Sequence, residues 1–419
     1  MPERVLICGA GVAGSIVAFY LGKADFQVTV VERSKAEQKA GQGIEIEEPA
    51  LSVVRHMGVL DTLESVKTGE EGAEFVDQRS RSYGIFKAGG ISPTGELELM
   101  RGDLTEVLYK AADAHPNVTY LFETTIQSLR QTQDKVIVDL AHRPTRSVKT
   151  EEFDLVVGAD GVKSRTRQLA MGSPEELNCF KAVGAYTAYF SIPKQDQDWP
   201  YSRLCHFPGR KVVWMRPVSK ASDVTSVYLI HVGKNVPALS RANAVGDRMK
   251  QKEALAELYS GLGWEVPRVI EEMLKAENFY SDELMQVKLQ KWSQDRVVLV
   301  GDAAWAPTPF TGEGNQLAIM GAHVLAQEIS RYRSSAAFDA YEKRLRAYVE
   351  DAQNIPLGGY APYIFVPQTS LGVWVFRTLI YLGSWIVRFI AWRGMPDGSD
   401  QQHKEFDLQI EKDETKKAR

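Results

Sequence analysis

The sequence predicts an α/β fold in which an antiparallel sheet is inserted into a Rossmann-like dinucleotide-binding domain and helices follow at the C-terminus. An apolar strand at 5–8 runs directly into a G-x-G-x-x-G turn and an apolar helix, the opening of a nucleotide-binding βαβ unit. Strand-like runs alternate with turns from 180 to 231, as expected for an antiparallel sheet. A second apolar strand at 296–300, again followed by glycine, returns to the pattern of the first domain.

These changes along the chain predict four parts. The nucleotide-binding domain is discontinuous, and the sheet domain that we expect to bind substrate is inserted in two pieces. The predicted boundaries are 1–75, 95–170 and 285–355 for the nucleotide-binding domain, 76–94 and 171–284 for the sheet domain, 356–400 for a C-terminal helical segment, and 401–419 for a flexible tail.

The composition argues against several classes of protein. The chain has 419 residues, of which 44% are hydrophobic and 25% charged, and its formal net charge of −4 lacks the basic excess of a nucleic-acid-binding protein. Cys8, Cys179 and Cys205 are too widely spaced for a disulfide framework or a zinc site, and no metal site is predicted. We expect a cytoplasmic location, because no signal peptide precedes the first strand.

The N-terminal turn contains most of the predicted nucleotide contacts. Gly9 permits the tight turn, Gly11 lets the backbone approach a pyrophosphate, and Gly14 lets the helix pack against the strand. The helix directs its unpaired N–H groups and the positive end of its dipole at that phosphate. The strand at 27–31 ends at Glu32, about 20 residues after the glycines, where a ribose-binding carboxylate is expected.

Further features follow apolar strands later in the chain. An arginine opens a helix, two strands end in glycine-containing turns, and a proline-containing loop leads to the start of another helix. In chain order these features are Arg101, Gly158-Ala159-Asp160-Gly161, Gly301-Asp302-Ala303-Ala304, Pro307, Pro309 and Gly312-Glu313-Gly314-Asn315.

This ordered set of motifs resembles that of the class A flavoprotein monooxygenases of the p-hydroxybenzoate hydroxylase type, nearest to the tetracycline-inactivating and fungal biosynthetic members. The resemblance covers about residues 1–353. It implies a GR2-type domain that binds FAD in an extended form, with no separate nicotinamide domain. The FAD-binding residues that we expect are Gly9, Gly11, Ala13, Gly14, Glu32, Arg33, Gly43, Arg101, Asp160, Asp302, Pro307, Gly312, Gly314 and Asn315.

The resemblance also implies a reaction in two halves. NADPH or NADH reduces FAD, and O2 then adds at flavin C4a to give a hydroperoxide that transfers one oxygen atom to the substrate. We expect an apolar aromatic or polycyclic small molecule to be hydroxylated or epoxidised, in secondary-metabolite biosynthesis or degradation. The protein must exclude water and position the substrate. The polar candidates on the sheet are His231, our first choice, with Arg216, Tyr186 and His206.

The stretch 371–392 is long, apolar and aromatic. Its length could span a bilayer, but Arg377 and Arg388 argue against a simple span. With Tyr381 and Ser384 they fall on one polar stripe at helical spacing. Two interpretations stay open: a helix packed over both domains and the substrate entrance, and a peripheral helix on a membrane surface.

Other functions also stay open at this point. A flavin-dependent reductase or halogenase would keep the cofactor, although the sequence lacks the Trp-x-Trp-x-Ile-Pro signature of flavin halogenases. A non-catalytic binding module on the same fold would not need an intact set of cofactor motifs. A plain NAD-dependent dehydrogenase would not require the Gly-Asp-Ala-Ala motif.

Overall fold

The structure is a computed structural model that describes residues 3–35, 42–89, 92, 94–234, 236–392 and 406–410. Its strands, in chain order, are β1 (Arg4–Cys8), β2 (Gln27–Val31), β3 (Gly43–Glu45), β4 (Gly72–Val76), β5 (Ser82–Lys87), β6 (Glu98–Met100), β7 (Val118–Leu121), β8 (Thr124–Gln131), β9 (Val136–His142), β10 (Ser147–Phe153), β11 (Leu155–Gly158), β12 (Phe180–Pro193), β13 (Ser202–Phe207), β14 (Lys211–Pro217), β15 (Val224–Val232), β16 (Tyr280–Val287), β17 (Ser293–Gln294) and β18 (Val297–Leu299).

The α-helices connect and cover these strands. In chain order they are α1 (Val12–Lys23), α2 (Ala50–His56), α3 (Leu60–Ser65), α4 (Arg101–Asp113), α5 (Arg165–Met171), α6 (Pro174–Leu177), α7 (Pro237–Val245), α8 (Arg248–Leu258), α9 (Val266–Lys275), α10 (Asp302–Trp305), α11 (Gly314–Tyr332), α12 (Ala336–Ala352), α13 (Ala361–Phe365) and α14 (Ser370–Trp392).

The first sheet has six strands in the order β17-β18-β11-β1-β2-β7. All neighbours are parallel except β17 and β18. β1 lies in the interior because both of its faces are apolar. Val5 and Ile7 pack in the cluster with α1, α4 and α11, whereas Leu6 and Cys8 pack on the other face against the three-stranded sheet β8–β10. A parallel strand buried on both faces is continuously apolar, as the sequence is at 5–8.

The second large sheet has seven strands in the order β16-β12-β15-β14-β13-β4-β5. Its neighbours are antiparallel except β13 and β4. Helices α7–α9 cover one face, where Leu239, Leu255 and Val269 pack against residues such as Leu229. The predicted α/β fold with an inserted antiparallel sheet is therefore confirmed. β4 and β16 cross the predicted boundaries at 75/76 and 284/285, and the division into domains stays a prediction.

Helix α14 lies across the β5 edge of the seven-stranded sheet. The ring of Phe376 is 4.5 Å from that of His206 and 6.4 Å from that of Phe75. A Cβ atom at Gly84 would lie 2.7 Å from Cγ2 of Ile380, so the helix sits directly on the β5 backbone. Covering an edge strand in this way keeps it from pairing with other chains.

The described residues of the predicted polar stripe on this helix differ in burial. The guanidinium of Arg377 lies 5.7 Å from the ring centre of Tyr83. Ser384 is buried, whereas Tyr381 is exposed. The side chain of Arg388 lies outside the described residues. The helix therefore contacts the sheet through a mainly apolar face that includes one arginine.

Residues 406–410 correct the prediction of a flexible tail for this part of the chain. Leu408 is buried, and the ring of Phe406 is 5.5 Å from that of Tyr348 on α12. Gln327 on α11 donates a hydrogen bond to the carbonyl oxygen of Gln409 (3.2 Å). The physical reason is the apolar residues at 406, 408 and 410, which pack on the main core. Residues 401–405 and 411–419 lie outside the described part.

Candidate active site

Three glycine-containing loops meet at the carboxyl ends of β1, β11 and β18. Gly9 makes the closest approach, since a Cβ atom there would lie 2.5 Å from the carbonyl oxygen of Ala159. A Cβ atom at Gly14 would lie 2.0 Å from the carbonyl oxygen of Gly9. On the other side of the site, a Cβ atom at Gly301 would lie 3.1 Å from Cβ of Ala13. The structure thus brings together three motifs that are far apart in the sequence.

Gly11 differs from these glycines because it faces open space. No heavy atom of the described residues lies within 4 Å of a Cβ atom placed there. No side chain caps the start of α1, so its first N–H groups are available to a ligand. Glu32 lies beside this turn, and its carboxylate accepts hydrogen bonds from the backbone N–H groups of Ala10 (3.0 Å) and Ser34 (2.9 Å). Arg33 is exposed next to it.

Asp160 fixes the loop that follows β11. One carboxylate oxygen accepts a hydrogen bond from the hydroxyl of Ser164. The other accepts from the backbone N–H (2.9 Å) and the hydroxyl (3.0 Å) of Thr166. Because both oxygens are engaged by α5 and its cap, the geometry gives Asp160 a role in holding this turn.

Arg167 is a residue of this site that sequence reasoning missed. Its side chain is fully buried, and its guanidinium donates to the carbonyl oxygens of Ala303 (2.8 Å) and Val162 (2.7 Å). These bonds join the loop after β11 to α10. The sequence carries no signal that separates the two arginines of α5, of which Arg167 is buried and Arg165 is exposed.

Asp302 and Arg101 bring opposite charges to the same end of the site. Asp302 begins α10 directly after Gly301 and is half-buried. Burial raises the pKa of Asp302 above its usual range, and the positive charge of Arg101 opposes this rise. Arg101 begins α4, and its backbone N–H donates to the carbonyl oxygen of Gln42 (2.9 Å). Its side chain is exposed and forms no ion pair within the described residues, so it is free to bind an anion or a hydroxyl.

The loop before α11 and the first turn of α11 each have a buried polar atom that lacks a partner. Oγ1 of Thr308 and Oε1 of Gln316 are buried and accept or donate no hydrogen bond among the described residues. Buried polar groups are normally paired, so these two atoms indicate where a ligand would bind. Pro307 lies beside Gly314, and a Cβ atom at Gly312 would meet nothing within 4 Å in the described part of the chain. No side chain caps the start of α11.

The ribbon formed by β3 and β6 joins α11 to the seven-stranded sheet. The carbonyl oxygen of Glu45 accepts hydrogen bonds from the side-chain amides of Asn315 (3.1 Å) and Gln316 (3.4 Å). Burial, followed by the charges of Glu47 and Glu98, raises the pKa of the Glu45 carboxyl to about 8. A carboxyl group that holds its proton near neutral pH can donate a hydrogen bond, a property that the sequence did not indicate.

Arg216 binds the other end of this ribbon through ion pairs. Its guanidinium forms buried ion pairs with Glu98 (2.8 Å) and with Glu70. Burial opposes its charge, but the two carboxylates outweigh burial and raise its pKa. A Cβ atom at Gly43 would lie 2.8 Å from Nη1 of Arg216, and the Gly43 N–H donates to the hydroxyl of Tyr228. The predicted contact of Arg216 with substrate is not supported, because the side chain is covered and already neutralised.

His231 and Tyr186 do not lie on the face of the sheet that meets the ribbon, as their predicted contact with substrate requires. The two residues are paired across β15 and β12, but they lie on the face that packs against α7–α9. Burial lowers the pKa of His231 to about 4, with Lys211 contributing. His206 is buried against Phe376 of α14, and burial lowers its pKa to about 3. His231 and Tyr186 therefore lie on the face opposite Arg216, whereas His206 shares the face of Arg216 but is covered by α14.

The face of the sheet that meets the ribbon carries a row of aromatic side chains, called here the aromatic row. Trp214, Tyr228, Tyr189 and Tyr280 are direct neighbours across four strands. Their ring centres are separated in turn by 5.4, 4.9 and 6.4 Å. The charge of Arg101 lies close enough to lower the pKa values of Tyr189 and Tyr280, although burial is the larger effect and raises both. The row therefore lies beside the loops described above.

Known proteins share this arrangement over nearly the whole chain. Residues 3–355 match the family described as "FAD binding domain". Monooxygenase CTB7 of Cercospora beticola is 34% identical over 396 residues, which cover 91% of this chain and 92% of that protein. FAD-dependent monooxygenase asL4 of Sarocladium schorii is 30% identical over 426 residues, which cover 93% and 96%.

Solved structures show the same likeness. Tetracycline destructase Tet(55) is 29% identical with a TM-score of 0.75, and the match covers 91% of this chain and 96% of that one. Klebsiella pneumoniae HpxO, solved with FAD and uric acid, has a TM-score of 0.68 over 95% of this chain and 96% of that one. Its identity is 18%, so this second likeness shows the fold alone.

Proposed function

Because the chain belongs to the FAD-binding-domain family and is an FAD-dependent monooxygenase of class A, we propose that it uses NADPH or NADH and O2 to hydroxylate or epoxidise an apolar aromatic or polycyclic small molecule. A role in secondary metabolism and a cytoplasmic location belong to the same proposal. The free, buried thiols of Cys8, Cys179 and Cys205 support a reducing compartment.

The aromatic row is the observation that supports the proposed class of substrate. Trp214, Tyr228 and Tyr189 pack edge to face as immediate neighbours, an arrangement that aromatic groups favour at such spacings. Nε1 of Trp214 is buried and has no hydrogen-bond partner among the described residues, so it can orient one polar atom of a substrate. A mainly apolar wall with few directed polar groups fits a flat, largely apolar molecule.

The phosphate and ribose parts of FAD fit the N-terminal half of the site. The open space at Gly11, between Gly9 and Gly14, and the uncapped start of α1 suit a pyrophosphate, with Ala13 on the first turn. We assign Glu32 and the adjacent Arg33 to the adenosine end. The two backbone hydrogen bonds at Glu32 leave each carboxylate oxygen with further capacity to accept ribose hydroxyls.

The ring end of FAD fits the second half. We assign Arg101 and Asp302 to the pyrophosphate and ribityl groups, because one carries free donors and the other is a half-buried acceptor. Pro307, Gly312, Gly314 and Asn315, with Gly43 on the facing ribbon, would border the ring system. The unpaired atoms of Thr308 and Gln316 fit its polar edge. Asp160 then acts by holding the loop between the two halves.

The chain's own residues would orient and shield the reaction. When bound, FAD supplies the redox chemistry by taking electrons from the nicotinamide and passing them to O2. The uncapped N–H groups of α11 and the positive end of its dipole favour negative charge on a bound group. The aromatic row excludes water from the reacting face.

Purification and turnover test the proposal. We expect a yellow protein with the absorption of oxidised flavin, whose NADPH or NADH oxidation is accelerated by some member of an aromatic and polycyclic compound panel. With that compound, labelled O2 should leave one labelled oxygen atom in the product. A protein that cannot be reconstituted with FAD would overturn the cofactor assignment. Stimulated oxidation that yields a reduced, unlabelled form of the compound would instead identify a reductase.

A further inference from the structure

Helix α14 presents a continuous apolar surface away from the protein. The window Ser370–Val387 has a mean hydropathy of 1.4, yet only 17% of it is buried. The large hydrophobic residues that remain exposed lie three or four positions apart, on one side of the helix. They define the outer face of α14 and are Leu371, Trp374, Val375, Leu379, Tyr381, Leu382, Trp385, Ile386 and Phe389.

The opposite face of the helix is fixed to the seven-stranded sheet. Val373 is buried, Phe376 packs against Phe75 and His206, and Ile380 packs on Gly84. These contacts run along most of the helix, so it can neither turn its outer face inward nor leave the sheet to span a bilayer without losing them. No segment among the described residues covers the outer face.

The outer face is a contiguous apolar patch and not a set of isolated exposed hydrophobic residues. Leu371, Leu379 and Trp385 are 70%, 63% and 60% exposed. Burying one such side chain stabilises by about 1.5–3 kcal/mol, so leaving a whole row in water is costly. Contiguous apolar patches of this kind mark sites of membrane or protein association.

The charge pattern favours a lipid surface. Between Asp351 and Asp397 the sequence has no Asp or Glu, and its charged residues are Arg377, Arg388 and Arg393. Arg377 lies against Tyr83 on the sheet side, so the complement to anionic lipid headgroups is the absence of acid together with Arg388 and Arg393. The same segment of a second copy would bring more arginine and no acid. Tryptophan and tyrosine on the outer face suit the boundary between headgroups and acyl chains.

We propose that the outer face of α14 binds the surface of an anionic lipid bilayer, with the helix parallel to the membrane plane. Trp374, Leu379 and Trp385 enter the region between headgroups and acyl chains, and the sheet stays on the aqueous side. This contact does not depend on catalysis, so binding is measured without a substrate.

Vesicle flotation of the full-length flavin-loaded protein tests the proposal. We expect it to float with vesicles of phosphatidylcholine and phosphatidylserine, and more weakly with phosphatidylcholine alone. Leu379→Glu and Trp385→Glu should each weaken binding at least about tenfold, because each removes a large apolar contact and adds a negative charge. Val245→Glu is the matched control, since Val245 is 81% exposed on α7 and should leave binding unchanged.

Two further readouts make the result decisive. Brominated phosphatidylcholine in the same vesicles should quench tryptophan fluorescence in the parent and the Val245→Glu variant, and much less in Trp385→Glu. Failure of the folded, flavin-loaded protein to float with either vesicle would overturn the proposal. A dimer in light scattering that Leu379→Glu dissociates would also overturn it, because the outer face would then be covered by a second copy.

Discussion

Arg167 donates a hydrogen bond from Nη1 to the carbonyl oxygen of Ala303 at 2.8 Å, which ties the loop after β11 to the helix that begins at Asp302. Neither residue is exposed, and Nη2 of the same guanidinium binds the carbonyl oxygen of Val162. A single buried side chain therefore sets the distance between two of the three motifs that form the candidate FAD site.

We predict that Arg167→Met lowers both stability and flavin retention. The change leaves two carbonyl oxygens without a strong donor, and we expect a loss of about 2–4 kcal/mol in the free energy of unfolding. Urea denaturation and the flavin-to-protein absorbance ratio measure the two effects. Arg165→Met, at an exposed position of the same helix, should change neither. Equal behaviour of the two variants would contradict the role of Arg167.

The second prediction concerns the buried clamp between Arg216, Glu70 and Glu98. Arg216→Met leaves both carboxylates buried without a cation, and we expect it to destabilise the protein by about 3–5 kcal/mol. Adding Glu98→Gln should restore part of this loss, because it removes one of the unpaired charges. A double-mutant cycle by urea denaturation measures the coupling.

An exposed ion pair provides the control for this cycle. Arg81 pairs with Asp77, and its side chain is 71% exposed. Arg81→Met should therefore cost no more than about 1 kcal/mol. If Arg216→Met were as mild as Arg81→Met, the clamp would not hold the ribbon on the sheet.

The third prediction is a pH dependence that arises from His206. Burial lowers the pKa of His206 to about 3 in the folded protein, whereas an unfolded chain binds this proton near pH 6.5. Between these pH values the unfolded state binds more protons, so the free energy of unfolding falls as the pH falls. One such histidine contributes a slope of up to about 1.4 kcal/mol per pH unit.

His206→Phe isolates this contribution. Phenylalanine keeps an aromatic ring between Phe75 and Phe376 but carries no titrating nitrogen. Urea denaturation at a series of pH values from about 7 to about 4 should give a shallower loss of stability in the variant. Parallel pH curves for the two proteins would show that His206 is protonated in the folded state as readily as in the unfolded one.

The fourth prediction tests the aromatic row. Trp214→Phe keeps a ring but removes the unpaired Nε1 donor, and we expect KM for the substrate found by screening to rise about threefold to thirtyfold while flavin content stays constant. Trp264→Phe is the matched control, because Trp264 packs with the helices on the opposite face of the sheet. Steady-state kinetics of both variants decide the matter, and an equal rise in KM would refute the assignment.

The features of the fold that the sequence could predict are those set by residues close together in the chain. The turn at Gly9 and Gly14 follows from close backbone contacts that only glycine allows, so the residue type identifies the geometry. The seven-stranded sheet was also predictable, because alternation and turn residues mark antiparallel strands. Its flanking strand β4 was not, since it pairs in parallel with the distant β13.

The errors for His231 and Tyr186 concern which face of the sheet each side chain occupies. A shift of one residue moves a side chain to the other face of a sheet, and β12 has an irregular register against β16 between Ala182 and Tyr186. Sequence patterns could not show which face of β15 meets the ribbon, and they therefore favoured His231, which lies on the other face. The burial of Arg167 was hidden for a similar reason, because it depends on the packing of α5 against a distant loop.

The central claim is that FAD lies against the N-terminal turn, where Gly11 faces open space, and Gly11→Ala tests it most directly. The Gly11 backbone is extended (φ −77°, ψ −170°), so alanine fits without strain, and its Cβ atom meets no described heavy atom within 4 Å. The apoprotein should keep its melting temperature while its affinity for FAD falls at least about tenfold, because the methyl group occupies the space of the pyrophosphate. Gly383→Ala on α14, also in open space, should leave the FAD affinity unchanged. Unaltered FAD affinity in Gly11→Ala, measured by titration of the apoprotein, would contradict the account.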